Sequence, residues 1–132
     1  MKEETGFKYQ DTHQPVDVRV KDLISRMTLE EKIREMGMCL SSQILKEGKF
    51  SSELAHHFFN GKGIGAIQDP RLDPVESAEV INEIQKFLIN NTRLGIPALV
   101  VAECLHGFMS PEATIFPQSI GLAGTWDTGT LW

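Results

Sequence analysis

Cysteine is scarce in this sequence, a basic surplus is missing, and no long apolar run is present; each absence removes a class of protein. The two cysteines, Cys39 and Cys104, lie far apart and belong to no CxxC pair, which excludes a disulfide framework. Both are expected to be free and buried, since an unpaired cysteine packs like a small hydrophobe. Thirteen Lys and Arg stand against eighteen Asp and Glu, a net charge of -5. No excess of cations is left to neutralise phosphates, so no nucleic acid partner is expected. The longest apolar stretch, Ile96 to Ala102, falls far short of the roughly 20 residues a membrane span needs. Met1 to Phe7 carry no apolar run of the kind a signal peptide has. The expectation is a soluble, cytoplasmic protein with no membrane partner. Length excludes as well, because 132 residues suffice for one core but not for two domains. With 41% hydrophobic and 23% charged residues, the chain has the composition of an ordinary globular domain.

Residues 1 to 15 are polar and without period, and read as a loose arm closed by Pro15. Residues 16 to 132 form the domain. Asp17 is placed to cap a helix carrying Val20, Leu23, Ile24 and Met27 at helical spacing. Thr28-Leu-Glu-Glu31 is a capping box, with Ile33 and Met36 continuing the apolar face until Gly37. Ser51 or Ser52 can cap a short helix through Leu54, Ala55, Phe58 and Phe59, ending near Asn60-Gly61. Gly63 to Ile67 is too short for a helix and reads as a buried strand. Asp73-Pro-Val-Glu76 is a second capping box with Pro at the first helical position. It opens the clearest helix, with Val75, Ala78, Ile81, Ile84 or Gln85, and Leu88 on one face. Gly95 to Ala102 follows as an apolar strand.

Gly63-Ile-Gly-Ala-Ile67 and Gly95-Ile-Pro-Ala-Leu99 echo one another at an offset of 32 residues, with a capped helix between. That is the length of a βαβ unit. Strands that are continuously apolar are covered on both faces, as in parallel α/β sheets. Six Gly and Pro residues after Glu103 leave no room for a long helix. A third short strand is expected around Ile120 to Trp126, and Asp127 or Thr128 as the cap of a helix that would continue beyond it.

Three carboxylates follow the strand candidates: Asp69, Glu103 and Asp127. Asp69 precedes Pro70 and fits a turn; Asp127 fits a helix cap. Glu103 directly follows an apolar run and shares its loop with His106 and Gly107, which makes it the binding candidate, against a loop-bracing role. Gly61 to Ala66 satisfies G-x-G-x-x-A, but a dinucleotide fingerprint follows a strand and opens a helix, and this one does the reverse. Two Glu-x-x-His pairs, Glu53 with His56 and Glu103 with His106, raise a di-metal carboxylate reading with Glu31 or Glu83 as further ligands. It requires each pair to share a helix face, which Pro97, Gly107 and Pro111 deny the second. Trp126, Trp132, Phe58, Phe59, Phe108 and Phe116 suit either sugar stacking or a core.

Four blocks in order carry a resemblance: Arg19 to Ile33, Gly63 to Ile67, Thr92 to Gly107, and Thr114 to Asp127. Together they resemble the opening of family-3 glycoside hydrolases, the β-glucosidase and β-xylosidase group. The resemblance implies an α/β fold, a partial TIM (β/α)8 barrel with the first strands and helices only. It also implies retaining hydrolysis of terminal β-glycosidic bonds by two carboxyl groups, acting on a small oligosaccharide or β-glycoside with no cofactor. The family's nucleophile is an Asp in a Ser-Asp-Trp type motif, and its acid/base comes from a following domain. This sequence contains neither. Glu103 matches the family's acidic residue for hydroxyls of the non-reducing sugar, and His106 and Gly107 belong to the same motif; many members carry Asp where this chain has Glu103. The remainder of the barrel and the following domain are the implied partners, and the chain alone is expected to be inactive and marginally stable. A non-catalytic carbohydrate-binding or interaction module on the same half-barrel is the alternative.

Overall fold

The computed structural model describes residues 6–129. Helix α1, Val16–Arg26, begins directly after Pro15, so Asp17 sits inside the first turn and is not the cap expected of it. There its charge still complements the helix dipole. Helix α2, Leu29–Glu35, starts with the full capping box: the Thr28 hydroxyl accepts from the Glu31 N–H at 3.2 Å, and the Glu31 carboxylate from the Thr28 N–H at 2.8 Å. Strand β1 is Met38–Cys39. A two-residue hairpin follows, β2 (Leu45–Lys46) against β3 (Lys49–Phe50). Its turn residues Glu47 and Gly48 both have positive φ, 52° and 76°, the condition of the tight turns that match strand twist.

Helix α3, Ser52–Phe59, is capped by the Ser51 hydroxyl and ends on Asn60 in the left-handed region. Strand β4 is Ala66–Gln68. Helix α4, Pro74–Asn91, has Asp73 accepting from the Val75 and Glu76 N–H groups at 2.9 and 3.0 Å. Strand β5 is Leu99–Val101. The main sheet runs β1-β4-β5, all parallel, with Met38 opposite Ala66 and Ala66 opposite Leu99. Each new strand is added on the same side, with no reversal of order among the described strands.

The core lies between this sheet and helices α3 and α4. Phe59, Ile44, Ile67, Ile84, Leu88 and Cys39 are its largest fully buried side chains. The buried face of α4 is Val80, Ile84, Phe87 and Leu88. It is rotated from the expected one: Val75 and Ala78 are exposed and Ile81 is half-buried. Phe87 accounts for the rotation, since its ring meets those of Phe50, Phe59 and His56 at centroid distances of 5.6, 6.0 and 4.7 Å. Gln85 instead braces the sheet, donating to the Ala98 carbonyl at 2.7 Å and accepting from its N–H at 3.0 Å.

Three further expectations change. Residues 1 to 15 are not uniformly loose: Tyr9 is buried, and its hydroxyl donates to the Leu94 carbonyl at 2.6 Å. The adjoining Tyr9 N–H donates to Asp22 at 3.2 Å, and Arg19 donates to the Tyr9 carbonyl at 2.9 Å. Of this arm, residues 1–5 lie outside the described residues. Ile120 to Trp126 holds a short helix, α5 (Ser119–Ala123), in place of a third strand. With no partner strand there, its backbone pairs locally, Leu122 N–H to Gln118 carbonyl at 3.0 Å. Cys39 is buried, with its thiol pushed up to about 11 by desolvation, but Cys104 is exposed. No described helix is long and apolar enough to cross a membrane.

Arg93 fastens α2 to the segment after α4. Its guanidinium donates to both Glu31 carboxylate oxygens, the Nε at 2.8 Å, and to the Arg26 carbonyl at 2.8 Å. Glu31 is only 3% exposed, and these bonds, first that of Arg93, hold its carboxyl down at about 2.

Candidate functional site

Parallel pairing of β4 with β5 brings their C-terminal ends side by side, and ligands bind at this edge in parallel β/α folds. Asp69 follows β4 and its N–H donates to the Val101 carbonyl at 2.8 Å, tying the two strand ends together. Its carboxylate accepts from the Arg71 N–H at 2.8 Å, closing a turn in which Arg71 has φ 56°. This is the turn role its position beside Pro70 implied. Below it the Ser110 hydroxyl donates to the Leu72 carbonyl at 2.6 Å, joining the loop after β4 to the loop after β5. A cleft of about 150 Å³ lies here, lined by Asp69, Leu72, Phe108, Ser110 and Glu112.

Glu103 stands two residues past β5. It is exposed, and its carboxylate makes no hydrogen bond or ion pair to any described residue. The backbone around it is fixed from the other side of the loop. His106 Nδ1 lies 3.0 Å from the Phe116 carbonyl. A carbonyl only accepts, so Nδ1 is the donor here. Nε2 has the Gln118 amide at 3.5 Å, a long contact. The Phe116 N–H in turn donates to the His106 carbonyl at 2.6 Å.

Between these bonds Gly107 has φ 107°, and a Cβ there would fall 2.3 Å from the Thr114 carbonyl oxygen and 3.0 Å from the Ile115 Cα. Only glycine fits, because both the backbone angle and the space exclude a side chain. Residues 105–107 and 114–118 thus form one braced unit presenting Glu103.

The remaining candidates separate. Asp127 accepts from the Gly129 N–H at 2.9 Å, and any helix it caps lies outside the described residues. Among the aromatics, Phe59 is in the core, Phe58 packs against it and Phe108 is half-buried. Phe116 and Trp126 are exposed, and Trp132 lies outside the described residues. Gly61 to Ala66 does run from the end of α3 into β4. Its Lys62 is paired with Glu30 at 2.6 Å, which is not a phosphate cradle. The di-metal reading loses its second pair, since Glu103 and His106 share no helix, and Glu31 is taken by Arg93. His56 rests edge-on against Phe87. Among the described residues no group of three or more His, Cys, Asp or Glu is placed to hold a metal ion.

Comparison with known proteins gives a consistent picture. The sequence model described as the glycosyl hydrolase family 3 N terminal domain matches residues 28–131. A protein named "Putative beta-xylosidase" from Formosa agariphila is 31% identical over 124 residues, covering 90% of this chain and 16% of its own. Beta-glucosidase C of Emericella nidulans is 32% identical over 129 residues, covering 90% of this chain and 21% of its own. The chain therefore spans about a fifth or less of the length of these relatives.

Proposed function

Because this chain belongs to glycosyl hydrolase family 3, within the N-terminal domain of that family, we propose that it forms the opening strands and helices of a β/α barrel in a β-glycosidase. The reaction is retaining hydrolysis of terminal β-glucosides or β-xylosides, and this segment supplies part of the sugar-binding subsite. Three parallel strands in sequence order, without a switch of direction, support the barrel: a doubly wound sheet reverses its order and a barrel does not.

The observation that carries the site is Glu103, an unengaged carboxylate on a braced loop at the C-terminal edge of the sheet. A carboxylate accepts two sugar hydroxyls at once, and charge-assisted bonds of this kind are stronger than neutral ones. His106 Nε2, held only by a long contact to Gln118, is the ring atom left to meet a further hydroxyl. The two carboxyl groups that such hydrolysis requires come from other parts of the intact protein, on this reading, and the rest of the barrel with a following domain are its partners.

The reading frame past Trp132 is the first test. A continuation with a Ser-Asp-Trp type segment supports the proposal, and an immediate stop codon favours a non-catalytic sugar-binding module. In the longer protein, Glu103→Ala is expected to lower kcat/KM for a 4-nitrophenyl β-glucoside or β-xyloside by about 10- to 100-fold, the worth of one charged hydrogen bond. Unchanged kinetics would remove Glu103 from the site.

A further inference from the structure

Glu35, the last residue of α2, is a half-buried acid that the sugar-binding reading does not use. Its Oε1 is sealed from solvent and makes no hydrogen bond to any described residue. Such an atom calls for an explanation. The carboxyl lies where α2 meets the segment entering β4, at the tightest glycine contact among the described residues. A Cβ on Gly65 would lie 1.9 Å from the Glu35 carbonyl oxygen, and one on Gly63 would lie 3.5 Å from Glu35 Oε1. The Gly65 N–H donates to the Arg34 carbonyl and the Ala66 N–H to the Gly37 carbonyl, at 3.3 and 3.1 Å. The first of these bonds ties α2 itself to the segment entering β4.

Among the described residues, the cations near α2 are directed elsewhere. Arg34 donates to the carbonyls of Gly63 and Phe58, Arg93 to Glu31, and Lys62 to Glu30. The charge that does act on Glu35 is the carboxylate of Glu31, one helical turn away and of the same sign. An ionised Glu35 is therefore both desolvated and repelled, with no compensating partner.

We propose that Glu35 is a proton-operated latch: with the proton on, its neutral carboxyl lets α2 close on the Gly63–Gly65 segment, and with the proton off, the charge against that sealed oxygen loosens the junction. Burial first, and Glu31 second, push the carboxyl above its ordinary 4.5. For a raised value the contribution to stability is complete below about pH 4.5 and is lost as pH rises through the folded-state value.

Hydrogen exchange of the Gly65 and Ala66 amides, corrected for intrinsic rates, reads the junction directly. Protection in the 132-residue chain is expected to be more than about twofold greater at pH 5 than at pH 8, the direction a raised carboxyl gives. In Glu35→Gln, neutral and of the same shape, the ratio should fall below twofold. Glu35→Ala, which removes the carboxyl altogether, should flatten it too. A carbon-detected titration of the Glu35 carboxyl gives an independent readout, with a midpoint above 4.5 expected. Equal pH dependence in the wild-type and Gln chains, or a midpoint at or below 4.5, would overturn the latch.

Discussion

Replacing Glu31 by Gln tests how α2 is held. The substitution keeps an oxygen for the Thr28 cap, since Gln serves in capping boxes as Glu does, and deletes the charge that Arg93 grips. A carboxyl moved from 4.5 to about 2 corresponds to about 3 kcal/mol favouring the ionised folded state. Arg93 is 51% exposed, so water screens part of that attraction, and about 2 kcal/mol is the expected loss at pH 7. Urea titrations followed by circular dichroism at 222 nm measure it. A second signature separates the ion pair from mere packing. The value is depressed, so the stabilisation is complete above about pH 4.5 and fades as pH falls toward 2. Wild type and Glu31→Gln should therefore differ at pH 7 and converge by about pH 2. A difference below about 0.5 kcal/mol at pH 7, the usual scatter of surface changes, would refute the reasoning, and so would a gap that persists unchanged at pH 2.

Other outcomes follow from the same structure. Gly107→Ala should cost about 1–3 kcal/mol, the range for strained backbone, and should weaken the His106 to Phe116 bonds, which an imidazole NMR shift of His106 would register; an unshifted imidazole would contradict the contact at Thr114. A thiol reagent at pH 8 should label Cys104 at once and Cys39 only on unfolding, since Cys39 is fully buried with its thiol raised to about 11; two equally fast labels would contradict the core. The 132-residue chain alone should not turn over a chromogenic β-glucoside or β-xyloside, as it contains no Ser-Asp-Trp type segment, and release above blank would show catalytic carboxyls among its own residues.

Local signals were the legible ones. Thr28 with Glu31, Ser51, and Asp73 with Pro74 each act within three residues of themselves, and each starts the helix it signalled. The 32-residue echo gave the parallel βαβ unit, but the true pairing of Ala66 with Leu99 is one residue longer. Repeated side-chain types mark both strands without fixing which backbone groups meet. The β2–β3 hairpin escaped notice because two residues per strand are too few to show a period of two. Gly48 in its turn was the available signal. The α4 face was misplaced because Val75 and Ala78 match the helical period as well as Val80 and Phe87 do. Ring packing by Phe50 and Phe59 decided between them. At the candidate site, the placement of Glu103 and His106 just past β5 was legible from the apolar run before them. The braces were not: Ser110 reaches Leu72 across 38 residues, and nothing local announces such a bond.

Glu31 and Glu35 bring these strands of reasoning to one helical turn. At i and i+4 two like charges repel. The chain meets each differently: a cation 62 residues away neutralises Glu31, whereas Glu35 is left with burial alone. Their pH dependences consequently have opposite signs, one lost on acidification and the other on alkalisation. The hold of α2 on the sheet should therefore peak in mildly acid solution, between the two titrations. Because Glu31 also repels Glu35, Glu31→Gln should ease the ionisation of Glu35 and move its carboxyl titration down. Glu35→Gln has no such reach, because Glu35 already carries its proton where Glu31 titrates. That asymmetry in two carboxyl titrations follows from their placement one helical turn apart, and an unmoved Glu35 midpoint in Glu31→Gln would contradict their coupling.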